Sequence, residues 1–193
     1  MIHPLARLVA VALGLAVVTT ACRRGDGEEA AETATAEAPT SATVSAPDTT
    51  GAAIWAHLQE SDYQATWQLW PEKGSFYTGQ QPHGMLLTTY LNDVAYQALT
   101  GGATEMPAGA IIVKENYMPD STLAAVTTMF KAAGYNADHH DWFFTKHLAS
   151  GELDKAPNGM QLEGRLPGCQ NCHVGVQAND YLYTGQLGAG AGN

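Results

Sequence analysis

Two cysteines and a histidine near the C-terminus constrain this chain more than any other feature. Cys169 and Cys172 are three positions apart in a chain of 193 residues, and His173 follows at once. On one turn of a short helix, this spacing puts both thiols on one side, at the separation of the two vinyl groups of haem, and points the imidazole at the iron. The run predicts one covalently attached haem c, with His173 as an axial iron ligand.

Other uses of a Cys-x-x-Cys pair fit this chain less well. A thioredoxin-like redox pair needs a βαβ pattern that the sequence lacks, and a zinc site would need two further ligands from distant histidines. The third cysteine, Cys22, follows an export signal, so no cysteine remains for a disulfide framework. Haem of this kind is attached outside the cytoplasm, which agrees with export.

The first 21 residues are predicted to be a signal peptide of the lipoprotein type. A basic start precedes an apolar run, Leu8–Val18, that is too short to span a bilayer. Small residues then lead to Cys22, which we expect to carry the lipid and to hold the protein on the periplasmic side of the cell envelope. The alternative is ordinary secretion, with Cys22 an incidental thiol.

Composition divides the rest of the chain. Residues 22–50 are rich in Ala, Thr, Glu, Ser and Pro and have almost no large apolar side chain, which predicts a disordered tether. Residues 51–185 are long enough for one domain with its own core, and the glycine-rich residues 186–193 are predicted to be a flexible tail. The net charge of −10 argues against binding to nucleic acid.

Hydrophobic patterning predicts a domain of mixed helices and strands, with the cysteine pair near the C-terminus. One or two helices are expected over residues 54–70, ending before Pro71, another is capped by Asn92, and a short helix carries the cysteines. The remaining apolar runs are predicted strands: 85–91, 110–117, 127–131, for which a helix over 123–133 is the alternative, and 142–147.

The opposite side of the iron is less determined. No spacing selects a second ligand from the available residues: Met85, Met106, Met118, Met129, Met160, His83, His139, His140 and His147. His83 lies in a loop before a strand, where it could hydrogen-bond an iron ligand or move protons, or else anchor the loop. Alternation in the strand AIIVKENY puts Lys114 on the face of Ile112 and Asn116, and Glu115 on the other face. By itself, the pattern favours an edge strand with Lys114 reaching water.

The order of motifs resembles that of the cytochrome P460 family, which includes the cytochromes c′-beta. The resemblance covers about residues 55–185 and is carried by these segments: Pro82-His83-Gly84 with LLTTYLND, Pro107 to Glu115, Met129/Lys131/Gly134-Tyr135-Asn136, Asp141-Trp142-Phe143-Phe144, and Gly168 to His173.

This resemblance implies an α+β fold, with a predominantly antiparallel β-sheet, flanking helices and one c-type haem near the C-terminus, often in a homodimer. It also implies that the haem is five-coordinate, with an open distal side. It also implies a bond between a lysine side chain and a meso carbon of the porphyrin, and the matching lysine is Lys114. The implied chemistry is oxidation of hydroxylamine to nitric oxide or nitrous oxide, or handling of nitric oxide. A periplasmic redox protein would then accept the electrons.

The chain departs from the family pattern at the distal side. Leu86 and Leu87 occupy the neighbourhood where the best-known crosslinked members have a charged residue, and Glu115 and Glu163 are the remaining candidate carboxylates. An apolar distal pocket resembles the c′-beta members, which implies a non-catalytic nitric oxide binder or sensor as the alternative. A simple electron carrier with a distal methionine is the third hypothesis.

Overall fold

The structure, a computed structural model, describes residues 45–188. The predicted signal peptide, Cys22 and most of the predicted tether lie outside these residues. The helices are α1 (Gly51–Glu60), α2 (Tyr63–Thr66), α3 (Asp93–Thr100) and α4 (Pro167–His173), with 3-10 turns at Ala137–His139 and Val174–Asn179. The strands are β1 (Gln68–Leu69), β2 (Tyr77–Thr78), β3 (Leu86–Leu91), β4 (Ile111–Tyr117), β5 (Leu123–Lys131), β6 (Trp142–Leu148) and β7 (Glu163–Gly164).

The seven strands form one sheet in which every pairing is antiparallel. The order is β1-β3-β4-β5-β6-β7, and β2 also pairs with β3. The predicted α+β class with a mostly antiparallel sheet is therefore confirmed. The long strands β3 to β6 carry β-branched and aromatic residues, which pack well on a pleated surface.

Each face of the sheet covers its own core. Face A carries Leu91, Ile112 and Phe144, and is covered by α3, α4 and the C-terminal segment that follows α4. Face B carries Val113 and Phe143 on neighbouring strands and is covered by α1 and α2. Side chains alternate between the two faces along each strand, so neighbouring residues of one strand serve different cores.

Two sequence-based expectations are wrong at the level of elements, and one alternative is excluded. β4 lies between β3 and β5, so Lys114 is on a central strand rather than an edge strand. The strand predicted at 127–131 is confirmed and begins earlier, at Leu123, which excludes the alternative helix over 123–133. The second helix ends at Thr66, well before Pro71, because Gln68 and Leu69 pair with β3 instead.

The C-terminal boundary also differs from the prediction. Leu187 is 8 % exposed and packs in the core of face A, so residues 186–188 belong to the domain. The other predicted elements are confirmed, including the Asn92 cap, whose side chain accepts from the backbone N–H of Ala95. Among the described residues, none of the helices has the length and apolarity needed to cross a membrane.

Candidate haem site

The short helix α4 carries both cysteines against face A. Pro167 opens the helix at a position where its missing N–H costs nothing, and the helix ends at His173. Cys169 is half-buried beside the core of face A, and Cys172 is exposed; neither is in a disulfide. Burial raises the pKa of the Cys169 thiol to about 11, so it is protonated at neutral pH.

His173 is held in one tautomer by the backbone. Its Nδ1–H donates to the carbonyl of Tyr181, with 2.6 Å between the nitrogen and the oxygen. The lone pair is therefore on Nε2, and within residues 45–188 nothing hydrogen-bonds that atom. Burial lowers the pKa of His173, which keeps the ring neutral, as a metal ligand must be. Phe144 and Tyr183 pack edge-on, each 5.5 Å from the ring of His173.

Lys114 lies on face A, two positions along β4 from the core residue Ile112. The strand register places it in a row across the sheet with Thr89, Thr127 and Lys146. Residues paired directly across antiparallel strands project to the same side. Lys114 and Lys146 therefore stand on one face, and the charge of Lys114 lowers the pKa of both His173 and His83.

The ammonium of Lys114 has no compensating charge in the part of the chain that the structure describes. The ion pairs found there involve Lys131, His140 and Lys146, and none involves Lys114. Burial lowers the pKa of Lys114 to about 8. About a tenth of this amine is therefore uncharged at pH 7, and an uncharged amine is the nucleophilic form.

His83 joins the same cluster from the loop before β3. Its ring centroid is 6.1 Å from that of His173. Asn116 donates its amide hydrogens to the carbonyls of Lys114 and Ala125, so its Oδ1 faces Nδ1 of His83 at 3.1 Å. Nδ1 must then carry the proton, and Nε2 is free to accept one. Burial first, and then the charge of Lys114, lower the pKa of His83 to about 4.

The other candidate residues are not brought to this cluster. Glu115 is fully buried on face B and accepts hydrogen bonds from Tyr63, Tyr117 and Gln64, which argues against a distal role. Glu163 accepts from the N–H of Gly51 at the start of α1. The remaining histidines and methionines are placed as follows: Met85, Met118 and Met160 exposed, Met106 and Met129 in the core of face A, His139 and His140 at Tyr181, and His147 on face B.

Sequence reasoning missed the residues that orient the cluster. Asn116 could have been found, because strand alternation already placed it beside Lys114. The carbonyl of Tyr181 could not, because a backbone acceptor leaves no signature in the residue type.

These residues fit a covalently attached haem. Two thiols lie on one helical turn, the adjacent imidazole presents an Nε2 that nothing in residues 45–188 hydrogen-bonds, and the exposed ring of Tyr183 lies 5.5 Å from that imidazole. The partly buried amine of Lys114, which has no ion pair among residues 45–188, stands on the same face of the sheet.

A β-rich domain with this cysteine–histidine site defines the class of haem c proteins built on an antiparallel sheet. The sequence model of the family described as Cytochrome P460 matches residues 61–184. The chain belongs to the cytochrome P460 family, and it is accordingly a haem-binding cytochrome. No curated protein matches the chain.

Proposed function

We propose that this chain is a monohaem c-type cytochrome with an open distal iron position, and that it oxidises hydroxylamine to nitric oxide or nitrous oxide. The observation that carries the proposal is the position of Lys114. It is a partly buried amine on face A whose charge adds to burial in lowering the pKa values of His173 and His83, and it has no ion pair among residues 45–188. A purely structural lysine would need a counterion or water at this depth.

The residues divide the work as their geometry suggests. Cys169 and Cys172 would attach the haem through thioether bonds, and His173 would bind its iron through Nε2. A bound haem supplies an acceptor for the electrons of the substrate nitrogen. Lys114 would be joined to the porphyrin edge by a carbon–nitrogen bond. Its formation would remove one amine N–H and one meso C–H as two protons and two electrons, so a two-electron oxidant must take part, and the lowered pKa makes the uncharged amine available.

His83 would act as the proton acceptor for the substrate. Converting hydroxylamine to nitric oxide releases three protons and three electrons, so the site needs a base as well as an electron outlet. Asn116 holds His83 with Nε2 unprotonated, and the low pKa keeps the ring neutral at working pH. Protons leave through this side chain, and electrons pass to a periplasmic redox protein.

The second candidate function is reversible binding of nitric oxide without turnover. Leu87 favours it, because this side chain is 4 % exposed and pairs with Asn116 in the sheet, beside the cluster. The carboxylates considered for the distal side, Glu115 and Glu163, are both engaged elsewhere. A third function, simple electron transfer, would require a second strong ligand such as a methionine or His83.

The setting of the protein is part of the proposal. A lipid on Cys22 and the residue 22–50 tether would hold the domain on the periplasmic side of the envelope. The acidic net charge of −10 makes a basic redox partner the better electrostatic match, and a homodimer is compatible with the family.

The deciding experiment is the optical spectrum and intact mass of the purified ferrous protein, for wild type, Lys114→Met and Lys146→Met. Lys146 is the matched control, because it stands in the same row of face A. We expect a strongly red-shifted Soret band in wild type and Lys146→Met, and its loss in Lys114→Met, which should still carry haem. Equal spectra in all three proteins would refute the crosslink.

The same samples test the open site and the reaction. A sharp low-spin spectrum in wild type would exclude an open distal position and leave the electron carrier. Steady-state assays with hydroxylamine and an electron acceptor separate oxidation from binding. We expect His83→Gln to retain the wild-type spectrum and to lose turnover by about ten- to a hundredfold or more, as expected for a general base.

A further inference from the structure

A buried cluster of charged and aromatic side chains, here called the hub, lies beside the Tyr181 carbonyl that accepts from His173. It consists of Asp180, Lys131, His140 and Trp142. Asp180 is 2 % exposed, and Lys131 on β5 donates to both of its carboxylate oxygens at 2.9 and 3.0 Å. His140 Nδ1 lies 2.9 Å from Oδ1, and the backbone N–H of Met106 donates to Oδ2 at 2.8 Å. The indole of Trp142 donates to the backbone carbonyl of Asp180 at 3.0 Å.

The hub fixes an unfavourable backbone conformation next to the iron ligand. Asp180 and Tyr181 have φ values of 50° and 66°, so two consecutive non-glycine residues are left-handed. Such a conformation is unfavourable for residues with a Cβ and persists only where the surrounding structure holds it in place. Here it turns the Tyr181 carbonyl toward Nδ1 of His173.

The hub is not a cation site that awaits a metal. Glu105, His140 and Asp180 have ligand atoms within 4.8 Å of one another, as a metal site would require. However, the Lys131 ammonium already bonds to both Glu105 and Asp180, and it lies 5.0 Å from the ring of Trp142. The positive charge of the hub is therefore supplied by the chain itself.

We infer that Asp180 is a positioning residue for the iron ligand: with Lys131 and Trp142, it presents the Tyr181 carbonyl to His173 Nδ1 and thereby sets the donor strength of Nε2. The inference rests on the proposed ligation of iron by His173. A hydrogen bond to the outer nitrogen of a ligating histidine fixes the ring and raises its basicity. A more basic ligand stabilises ferric iron, which is one way in which a protein tunes haem.

The test is resonance Raman spectroscopy of the ferrous haem protein, which reports the iron–histidine stretching band, together with its midpoint potential. In Asp180→Asn we expect the band to move to lower frequency and the potential to rise, because the Tyr181 carbonyl is released. Asp154→Asn is the matched control, since it breaks the other Lys–Asp pair of face A, to Lys146 at 2.7 Å. It should leave the band in place.

Trp142→Phe keeps the result decisive if Asp180→Asn does not fold, because it removes only the indole donor to the turn. A smaller shift in the same direction supports the inference, and a wild-type band in folded Trp142→Phe or Asp180→Asn overturns it. Equal shifts in Asp180→Asn and Asp154→Asn overturn it too, since they would reflect charge alone.

The proposed function fails separately. A six-coordinate wild-type protein would refute the open site, and the midpoint potential would then test the role of Asp180. Absence of covalent haem in the wild type would overturn both proposals.

Discussion

Glu115 is a buried carboxylate that is stabilised by hydroxyl groups instead of a cation. Its side chain is fully buried, and the hydroxyl of Tyr63 donates to it at 2.8 Å. The hydroxyl of Tyr117 and the side-chain amide of Gln64 also donate to this carboxylate. Burial, followed by the negative charge of Glu115, raises the pKa of Tyr63, and burial with the hydrogen bond to Glu115 raises the pKa of Tyr117. The phenols therefore stay protonated and remain donors at any physiological pH.

Replacing this carboxylate should weaken the fold and leave the haem site intact. We expect Glu115→Gln to lower the free energy of unfolding by about 2–3 kcal/mol, because charge-assisted hydrogen bonds are lost inside the core. Chemical denaturation measures the loss, and the exposed Glu152→Gln is the control. A changed iron spectrum in Glu115→Gln would contradict its placement on the far face.

His147 makes stability depend on pH through face B. Its Nε2–H donates to the carbonyl of Gly51 at 3.1 Å, and its buried Nδ1 has no partner among the described residues. Burial lowers the pKa of His147 below its usual value of 6.5, so the folded protein disfavours the charged ring. The stability contributed by the neutral ring is present above pH 6.5 and is lost as the pH falls toward the lowered pKa.

The measurement compares unfolding free energies at pH 7 and pH 5 for wild type and His147→Gln. The variant should be less stable at pH 7 but should lose less on acidification, because the carboxylates common to both proteins cancel in the comparison. Parallel losses in the two proteins would show that His147 is not the group responsible.

Among the elements, the long strands could be predicted and the short ones could not. Alternation along β4 separated Lys114 from Glu115 correctly, because a period of two repeats several times in seven residues. β1 and β2 have two residues each, too few for any period to show. The central position of β4 depends on contacts with both neighbouring strands, which no local pattern contains.

Two glycines in turns offer a matched test of backbone and contact effects. Gly151 and Gly159 have φ values of 89° and 84°, but an added Cβ at Gly151 would lie 2.6 Å from the ring of Trp55, and at Gly159 nothing lies within 4 Å. We expect Gly159→Ala to cost about 1 kcal/mol of stability from the left-handed backbone. Gly151→Ala should cost about 1–3 kcal/mol more.

Denaturant titration of the two variants decides the matter, since they share the strain and differ in the contact. Equal losses would mean that the Trp55 ring yields without cost.

The C-terminal segment after α4 packs on face A and completes the core of the domain. After α4, the chain returns across face A, and Asn179 Oδ1 accepts from the backbone N–H of Leu187 at 2.7 Å. Leu187 itself is buried in the same core as Trp142 and Phe144. The glycine-rich composition predicted a tail here, because one leucine among glycines carries no periodic signal.

Two truncations test this boundary. Deleting residues 186–193 should cost about 2–4 kcal/mol of unfolding free energy, because it empties the Leu187 position in the core. Deleting residues 189–193 removes none of the described contacts and should leave the transition nearly unchanged. Thermal unfolding of both proteins is the measurement. Equal midpoints would mean that residues 186–188 do not stabilise the domain and that the flexible tail begins at residue 186.

The candidate site could be predicted only where residue types and their spacing carry a signal. The spacing of Cys169, Cys172 and His173 predicts haem attachment. In the structure, the ring of His83 lies near that of His173, and the charge of Lys114 adds to burial in lowering the pKa values of both histidines. The hub around Asp180 could not be foreseen, because its members come from separate parts of the chain and act through a backbone carbonyl.

The position of Lys114 on a central strand affects how strongly a bond to haem would resist unfolding of the domain. A covalent bond from β4 to the porphyrin already carried by Cys169 would close a loop of about 55 residues, which in the chain-entropy treatment of crosslinks removes about 4 kcal/mol of freedom from the unfolded chain. The cofactor would then serve as a staple comparable to a disulfide, and one that thiol reductants cannot open. The described cysteines form no disulfide, so the covalent bonds to the haem would be the crosslinks that resist unfolding in this part of the chain.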